Sequence, residues 1–322
     1  MEKVRGNIED ILNAIESANS FLITSHIRPE GDCIGSQLAM AYFLKSKGKK
    51  VWVVNEDTVP FNYRFLPGWR IITQMLPSYA KPEAAVVVDC PNLFRIGNVK
   101  SYITHKMKII NIDHHISNDN FGTFWINPHA SSTGEMIWEL LKTAQIPLTK
   151  KHAQVLYTAI FTDTGGFRFS NTTERSLVIA GEMVRMGVKP QQVASCVYET
   201  NPLSRIKLLG LSLSTLRSTQ DGRLVWFWVT KKMLRQSHSS MEEADDFINY
   251  ARSIDKAQIV IFFKQESKEI KVSFRAKNSI DVNKIAAKFK GGGHKAAAGC
   301  SIKGTVKDVE KKVIDYVSKI IV

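Results

Sequence analysis

The chain has 322 residues, 44% hydrophobic and 23% charged, with 44 Lys and Arg against 30 Asp and Glu for a formal net charge of +14. At roughly 150 residues per domain this length predicts two domains, and the composition is that of a globular protein, which excludes a disordered chain, a collagen-like repeat and a disulfide-dense scaffold. No apolar run reaches the roughly 18 residues that a membrane-spanning helix needs, and the cysteines (Cys33, Cys90, Cys196, Cys300) are far apart and form no CxxC pair, so reduced thiols and a cytoplasmic location are expected.

The N-terminal stretch carries acids throughout and reads as an amphipathic helix, with Ile8, Ile11, Leu12 and Ile15 on one face, not as a signal peptide. Short apolar runs at 21–25, 50–55, 84–89 and 107–113 then read as buried strands, and segments near 33–48, 132–144, 150–161 and 174–187 as helices. Strands alternating with helices predict βαβ units and a mainly parallel, doubly wound sheet. Such sheets bind ligands beyond the carboxyl ends of their strands. A polar helical stretch over about 190–218 reads as the connection between domains. Strands at 223–230, 258–265 and 269–276 and helices at about 241–252, 281–290 and 305–320 follow, which predicts a smaller mixed α/β domain. The domain boundaries expected are 1–190, a helical linker over 191–218, and 219–322. Residues 221–322 hold 20 basic and 12 acidic side chains, a net of +8 against +6 for the rest. That excess suits an anionic partner such as nucleic acid or a phosphorylated small molecule, although a solubilising surface reads the same way.

Four places put metal-ligand residue types at the end of an element. His26, Glu30 and Asp32 share a tight loop leading into a helix. Asp89 closes a Val-rich strand. Asp113-His114-His115 closes another, and Asp163-Thr164-Gly165-Gly166 closes an apolar helix. An Asp at the end of a buried strand is costly unless its charge is compensated. Imidazole with carboxylate suits Mn²⁺, Zn²⁺ or Fe²⁺ better than Ca²⁺. Each place also has a plainer reading, as helix cap, surface pair or turn. Four together on one rim favour a metal site. A structural zinc site built on cysteines is excluded by their spacing.

These residues resemble the motifs of the DHH phosphoesterase superfamily: His26-x-x-x-Glu30-x-Asp32, Asp89, Asp113-His114-His115 and Asp163, in that order. The segment Gly291-Gly292-Gly293-His294-x-x-Ala297-Ala298-Gly299, with Arg275 on the strand upstream, is similar to the hallmark of the associated DHHA1 domain. The family usually has Asp where this chain has Glu30. The length and layout look like the branch of that family that hydrolyses very short oligonucleotides and 3′-phosphoadenosine 5′-phosphate (pAp). The resemblance implies an α/β fold with a DHH domain, a smaller DHHA1 domain and an active site in the cleft between them. It implies a cytoplasmic hydrolase, an exoribonuclease acting on nano-RNA and on dinucleotides such as pGpG, with pAp as a further substrate. It assigns His26, Glu30 and Asp89 to one divalent ion and Asp32, Asp89, His114 and Asp163 to a second, with Mn²⁺ as the ion expected. Asp113 would orient ligands. His115 would contact phosphate or move a proton, or equally orient its neighbours. Arg95 would reach a phosphate or form a surface ion pair. Arg275, Gly291, Gly292, Gly293 and His294 would grip the substrate. No membrane partner is expected, and a homodimer stays open. The alternatives are a cyclic-dinucleotide phosphodiesterase and, from a different class, a nucleotide-sensing protein with a degenerate site.

Overall fold

The structure, a computed structural model, describes residues 3–267, 269–277 and 280–321. It divides into two compact units between Thr200 and Asn201. The first contains β1 (Arg5–Gly6), α1 (Ile8–Glu16), β2 (Ser20–Thr24), α2 (Gly31–Ser46), β3 (Lys50–Val54), β4 (Ile72–Thr73), β5 (Ala84–Val88), β6 (Lys108–Asp113), β7 (Thr123–Ile126), α3 (Thr133–Thr143), α4 (Lys150–Asp163), α5 (Glu174–Arg185) and α6 (Pro190–Tyr198). Its seven strands lie in the order β1-β7-β6-β5-β2-β3-β4 and are parallel except for the β1–β7 pair. From β2 the chain winds outward through β3 and β4. It then returns to β5 on the other side of β2 and winds out through β6 and β7. The order reverses between β2 and β5, and the carboxyl ends of neighbouring strands at such a point diverge to leave a crevice.

β2 and β5 are buried along their whole length, as their unbroken apolar runs require. Helix α2 is buried on almost every side. A Cβ on Gly35 would stand 2.3 Å from the Val155 carbonyl oxygen of α4, so glycine is what lets the two helices touch. The described residues include no helix long and apolar enough to cross a membrane.

The second unit contains α7 (Leu203–Leu213), β8 (Arg217–Ser218), β9 (Leu224–Val229), α8 (Lys231–Ser237), α9 (Phe247–Arg252), β10 (Ile259–Gln265), β11 (Ile270–Ala276), α10 (Val282–Lys288), β12 (Gly292–His294), β13 (Ala297–Ile302) and α11 (Val306–Ser318). Its sheet runs β12-β13-β11-β10-β9-β8, with β9 and β10 parallel and the other pairs antiparallel. Glu310 of α11 ties itself to β9 by accepting the indole N–H groups of Trp226 and Trp228 at 2.9 and 2.7 Å.

Three segments differ from the sequence expectation. Within 191–218, α6 buries Val193 and Val197 in the core of the first unit, while α7 buries Leu208 in a core of the second. The helix expected over about 241–252 is a short turn at Glu242–Ala244 and then α9, because Asp246 takes a left-handed backbone (φ +67°) between them. The glycine segment, where no strand is expected, is a hairpin strand. Gly292, Gly293 and His294 pair with Gly299, Ala298 and Ala297.

A buried histidine sets a pH limit on the first unit. His152 is 6% exposed, and its Nδ1 accepts the Thr149 backbone N–H at 3.2 Å as part of the cap of α4. A protonated ring cannot accept that bond, and burial also lowers the His152 pKa. The unfolded chain, with an ordinary histidine pKa near 6.5, therefore binds the proton more readily than the folded one. This stability is present above about pH 6.5 and is lost as pH falls below it. His152→Gln keeps an acceptor but does not titrate. Between about pH 7.5 and pH 5.5 the wild-type Tm should fall by about 2 °C or more beyond that of His152→Gln, by calorimetry.

Candidate metal centre

The loops after β2, β5 and β6 and the end of α4 bring the sequence-flagged residues together. His26 follows β2 and is 8% exposed. Its Nδ1 lies 2.7 Å from the Ile27 carbonyl oxygen. A carbonyl only accepts, so Nδ1 carries the proton and Nε2 presents a lone pair. That Nε2 stands 3.8 Å from Glu30 Oε1 and 3.7 Å from Asp89 Oδ2. His114 repeats the pattern. Its Nδ1 lies 3.3 Å from the Ala130 carbonyl oxygen, and its Nε2 is 3.6 Å from both Asp89 Oδ1 and Asp163 Oδ2. Atoms that each bind one ion at about 2.1 Å lie about 3–3.5 Å from one another, so these spacings suit donors around a cation.

Asp89 is the meeting point. It follows β5 at the sheet's reversal, is 2% exposed and has a left-handed backbone (φ +51°), a conformation that Asp tolerates better than most residues. Its Oδ1 accepts from the Thr133 hydroxyl at 3.1 Å and its Oδ2 from the Cys33 thiol at 3.2 Å. Asp32 is fully buried and occupies the N-terminus of α3. Its Oδ2 accepts the Thr133 N–H at 2.7 Å and its Oδ1 the Gly134 N–H at 2.8 Å and the Ser36 hydroxyl at 3.0 Å. Glu30 caps α2 by accepting the Cys33 N–H at 3.3 Å. The cap reading and the metal reading thus hold together at these two carboxylates.

Asp113 stands behind His115. It is fully buried, its Oδ1 is 2.6 Å from His115 Nδ1, and its Oδ2 accepts from the Asn118 amide at 2.6 Å. The same amide donates to Asn111 Oδ1 at 2.9 Å. This chain of bonds orients the His115 ring, whose Nδ1 also lies 3.6 Å from Asp89 Oδ1.

The charges strain against one another. Burial raises the pKa of Asp32 well above the ordinary carboxylate range, and the negative charges of Asp89 and Asp163 add to it. Burial and Asp89 likewise raise Glu30. Burial pushes Asp163 up to about 7 against the pull of His114. Asp89 goes the other way: burial opposes its charge, but His115, His26 and His114 hold it below the usual range. Burial also opposes a charged His114, yet Asp163, Asp89 and Asp32 push it up to about 10. A cluster that gathers protons to balance its carboxylates is one in which a divalent cation can take their place.

Three overlapping sets of atoms can hold an ion among the described residues: His26, Glu30, Cys33 and Asp89; Asp89, His114 and His115; and Asp32, His114 and Asp163. They gather the six expected metal residues and share Asp89 and His114. Sequence reading missed three contributors. Cys33 sits inside the first set. Thr133 binds Asp89 through its hydroxyl and Asp32 through its N–H. Asn171 donates its amide to Asp163 Oδ2 at 3.2 Å and to the Ser131 carbonyl at 2.8 Å. Only the position of Cys33, directly after the flagged Asp32, hints at these roles.

The expected phosphate residues are more scattered. Arg95 is exposed, in a loop whose Arg95 carbonyl accepts the Ile27 N–H at 2.7 Å, beside His26. Arg275 is half-buried on β11; burial lowers its pKa, and Asp246 offsets this. Gly291 and Gly293 permit close strand packing: an added Cβ would stand 2.2 Å from the Gly299 carbonyl oxygen and 2.5 Å from that of Ala297, and Gly293 has φ +150°. The His294 side chain lies outside the described residues.

A doubly wound sheet with this cluster at its reversal defines an α/β protein with a candidate metal centre. The model of the DHH family, N-terminal domain, matches residues 20–160, and that of the DHHA1 domain matches residues 227–322. The chain belongs to the DHH family, in the form that carries a C-terminal DHHA1 domain. It is 31% identical to the bifunctional oligoribonuclease and PAP phosphatase NrnA of Thermus thermophilus, covering 94% of this chain and 89% of that one. The protein of the same name from Bacillus subtilis is 29% identical, with 91% and 92% covered. An exopolyphosphatase-related protein from Bacteroides fragilis has a similar structure, with a TM-score of 0.88 at 27% identity over 96% of this chain and 94% of that one.

Asn171 gives the site a test of its geometry. Asn171→Ala removes the amide that steadies Asp163 without removing a charge. Mn²⁺ affinity should fall by about tenfold in calorimetric titration while the far-ultraviolet circular dichroism stays unchanged.

Proposed function

We propose that this chain is a divalent-metal-dependent phosphoesterase that hydrolyses very short oligoribonucleotides, including dinucleotides such as pGpG, to mononucleotides, and pAp to AMP. The observation that supports this reading is Asp89, a carboxylate common to two of the candidate ligand sets, in a chain similar over more than nine-tenths of its length to relatives named oligoribonuclease and PAP phosphatase. His26, Glu30 and Asp89 would hold one ion. Asp32, Asp89, His114 and Asp163 would hold the other, with Mn²⁺ preferred. When bound, the pair supplies Lewis acidity toward a phosphoryl group. Complete donor sets at both positions argue against a degenerate, purely sensing site.

The remaining roles fall to the chain's own groups. Asp113 holds His115 through Nδ1, so the ring is oriented to meet a phosphate or carry a proton. Thr133 and Asn171 keep Asp89 and Asp163 in place. Arg95 contacts phosphate at the rim. Arg275, the glycine hairpin and His294 bind the far phosphate or base of a short substrate, with the net +8 of residues 221–322 favouring an anion.

A product time course with Mn²⁺ tests the substrate class. It should run over 5′-phosphorylated RNAs from dinucleotides to long single strands, with pAp and pGpG in parallel. Dinucleotides and pAp should be consumed fastest, and preference for long strands would defeat the proposal. Asp89→Ala should lower turnover by more than about 100-fold and lower bound metal in elemental analysis. The grip is tested separately. Arg275→Ala should lower kcat/KM for dinucleotides by about 10–100-fold and leave metal content and hydrolysis of bis-p-nitrophenyl phosphate nearly unchanged. Equal losses on both substrates would put Arg275 in the chemical site or in folding.

A further inference from the structure

Cys33 is fully buried in the first turn of α2, and its thiol donates to a carboxylate. A buried free cysteine ordinarily packs as a small hydrophobe. Here Sγ lies 3.2 Å from Asp89 Oδ2, and Sγ, His26 Nε2, a Glu30 carboxylate oxygen and an Asp89 carboxylate oxygen all lie within 4.8 Å of one another. Burial alone does not produce this arrangement. Cys90 is equally buried and instead donates to the Asn92 carbonyl at 3.1 Å. Cys33 also orients the set through its backbone, whose N–H is donated to Glu30.

We infer that Cys33 is a sulfur donor to the ion position formed by His26, Glu30 and Asp89, and that this position takes a thiophilic divalent ion such as Zn²⁺ more readily than nitrogen and oxygen donors alone would allow. The inference rests on reading this cluster as a metal site and adds a fourth ligand to it. A set of one imidazole, two carboxylates and one thiolate matches the borderline-soft character of Zn²⁺ or Co²⁺. Binding replaces the thiol proton, which leaves to solvent, with the metal, so the Cys33–Asp89 hydrogen bond is exchanged for two bonds to one ion.

The experiment uses the full-length protein. X-ray absorption of the Zn²⁺-loaded wild type should reveal a sulfur neighbour at about 2.3 Å. The Co²⁺-loaded wild type should absorb in the near-ultraviolet through thiolate-to-cobalt charge transfer. Cys33→Ser and Cys33→Ala should lose that band while still binding Co²⁺, and their preference for Zn²⁺ over Mn²⁺ in competition should fall by about tenfold. Loaded wild type with neither the sulfur neighbour nor the band would overturn the inference and leave Cys33 as a hydrogen-bond donor to Asp89. A band that persists in Cys33→Ala would overturn it too, by assigning the sulfur to another thiol. Wild type that binds no metal at all would overturn the metal-site reading itself.

Discussion

Four carboxylates crowd one rim of a buried sheet, those of Glu30, Asp32, Asp89 and Asp163, and their mutual repulsion must be met before the first unit can fold around them. Three imidazoles lower the cost at Asp89. The N-terminus of α3 lowers it at Asp32, where two backbone N–H groups and the positive end of a helix face the charge. Asn171 steadies Asp163. Each device neutralises one member of the group, and none supplies the concentrated positive charge that all four would share. Divalent cations at the adjoining ligand sets would, which is why this cluster reads as a metal centre and not as a set of salt bridges.

The topology explains why the crowding occurs there. β2 and β5 are sequence-distant strands made neighbours by the reversal of winding order, so their following loops open into the same crevice. His26 and Asp89 emerge from those two ends. β6, next to β5, delivers Asp113, His114 and His115. The opposing wall comes from helices: the start of α3 and the end of α4. Gly35 lets α4 close against α2, so an apparently structural glycine helps to set where Asp163 ends up.

The second unit answers a different constraint. Its glycines are required by the approach of β12 to β13, where any side chain on Gly291 or Gly293 would strike backbone or a neighbouring Cβ. The two units thus rest on separate physical grounds: charge compensation in one, close backbone packing in the other.

Much of this was legible in the amino-acid order. Alternating apolar runs and helical stretches marked the main parallel strands, because strands buried on both faces must be apolar throughout. The acids and histidines stood out because such residues at the ends of buried strands need a reason. Short strands such as β1, β4 and β8 were not legible: two residues carry no periodicity. The hairpin of β12 and β13 was not either, because glycine and alanine have weak strand propensity and pair here only because β11 offers an edge. Sequence also left Cys33, Thr133 and Asn171 unmarked. A cysteine, a threonine and an asparagine are ordinary anywhere in a chain. What made them part of the centre was distance in space: the winding of the sheet brought Asp89 beside the first turn of α2 and the start of α3, and the turn after α4 brought Asn171 back to Asp163. Residue types and their order determined the kind of chemistry, whereas only the tertiary structure decided which side chains stand close enough to take part in it.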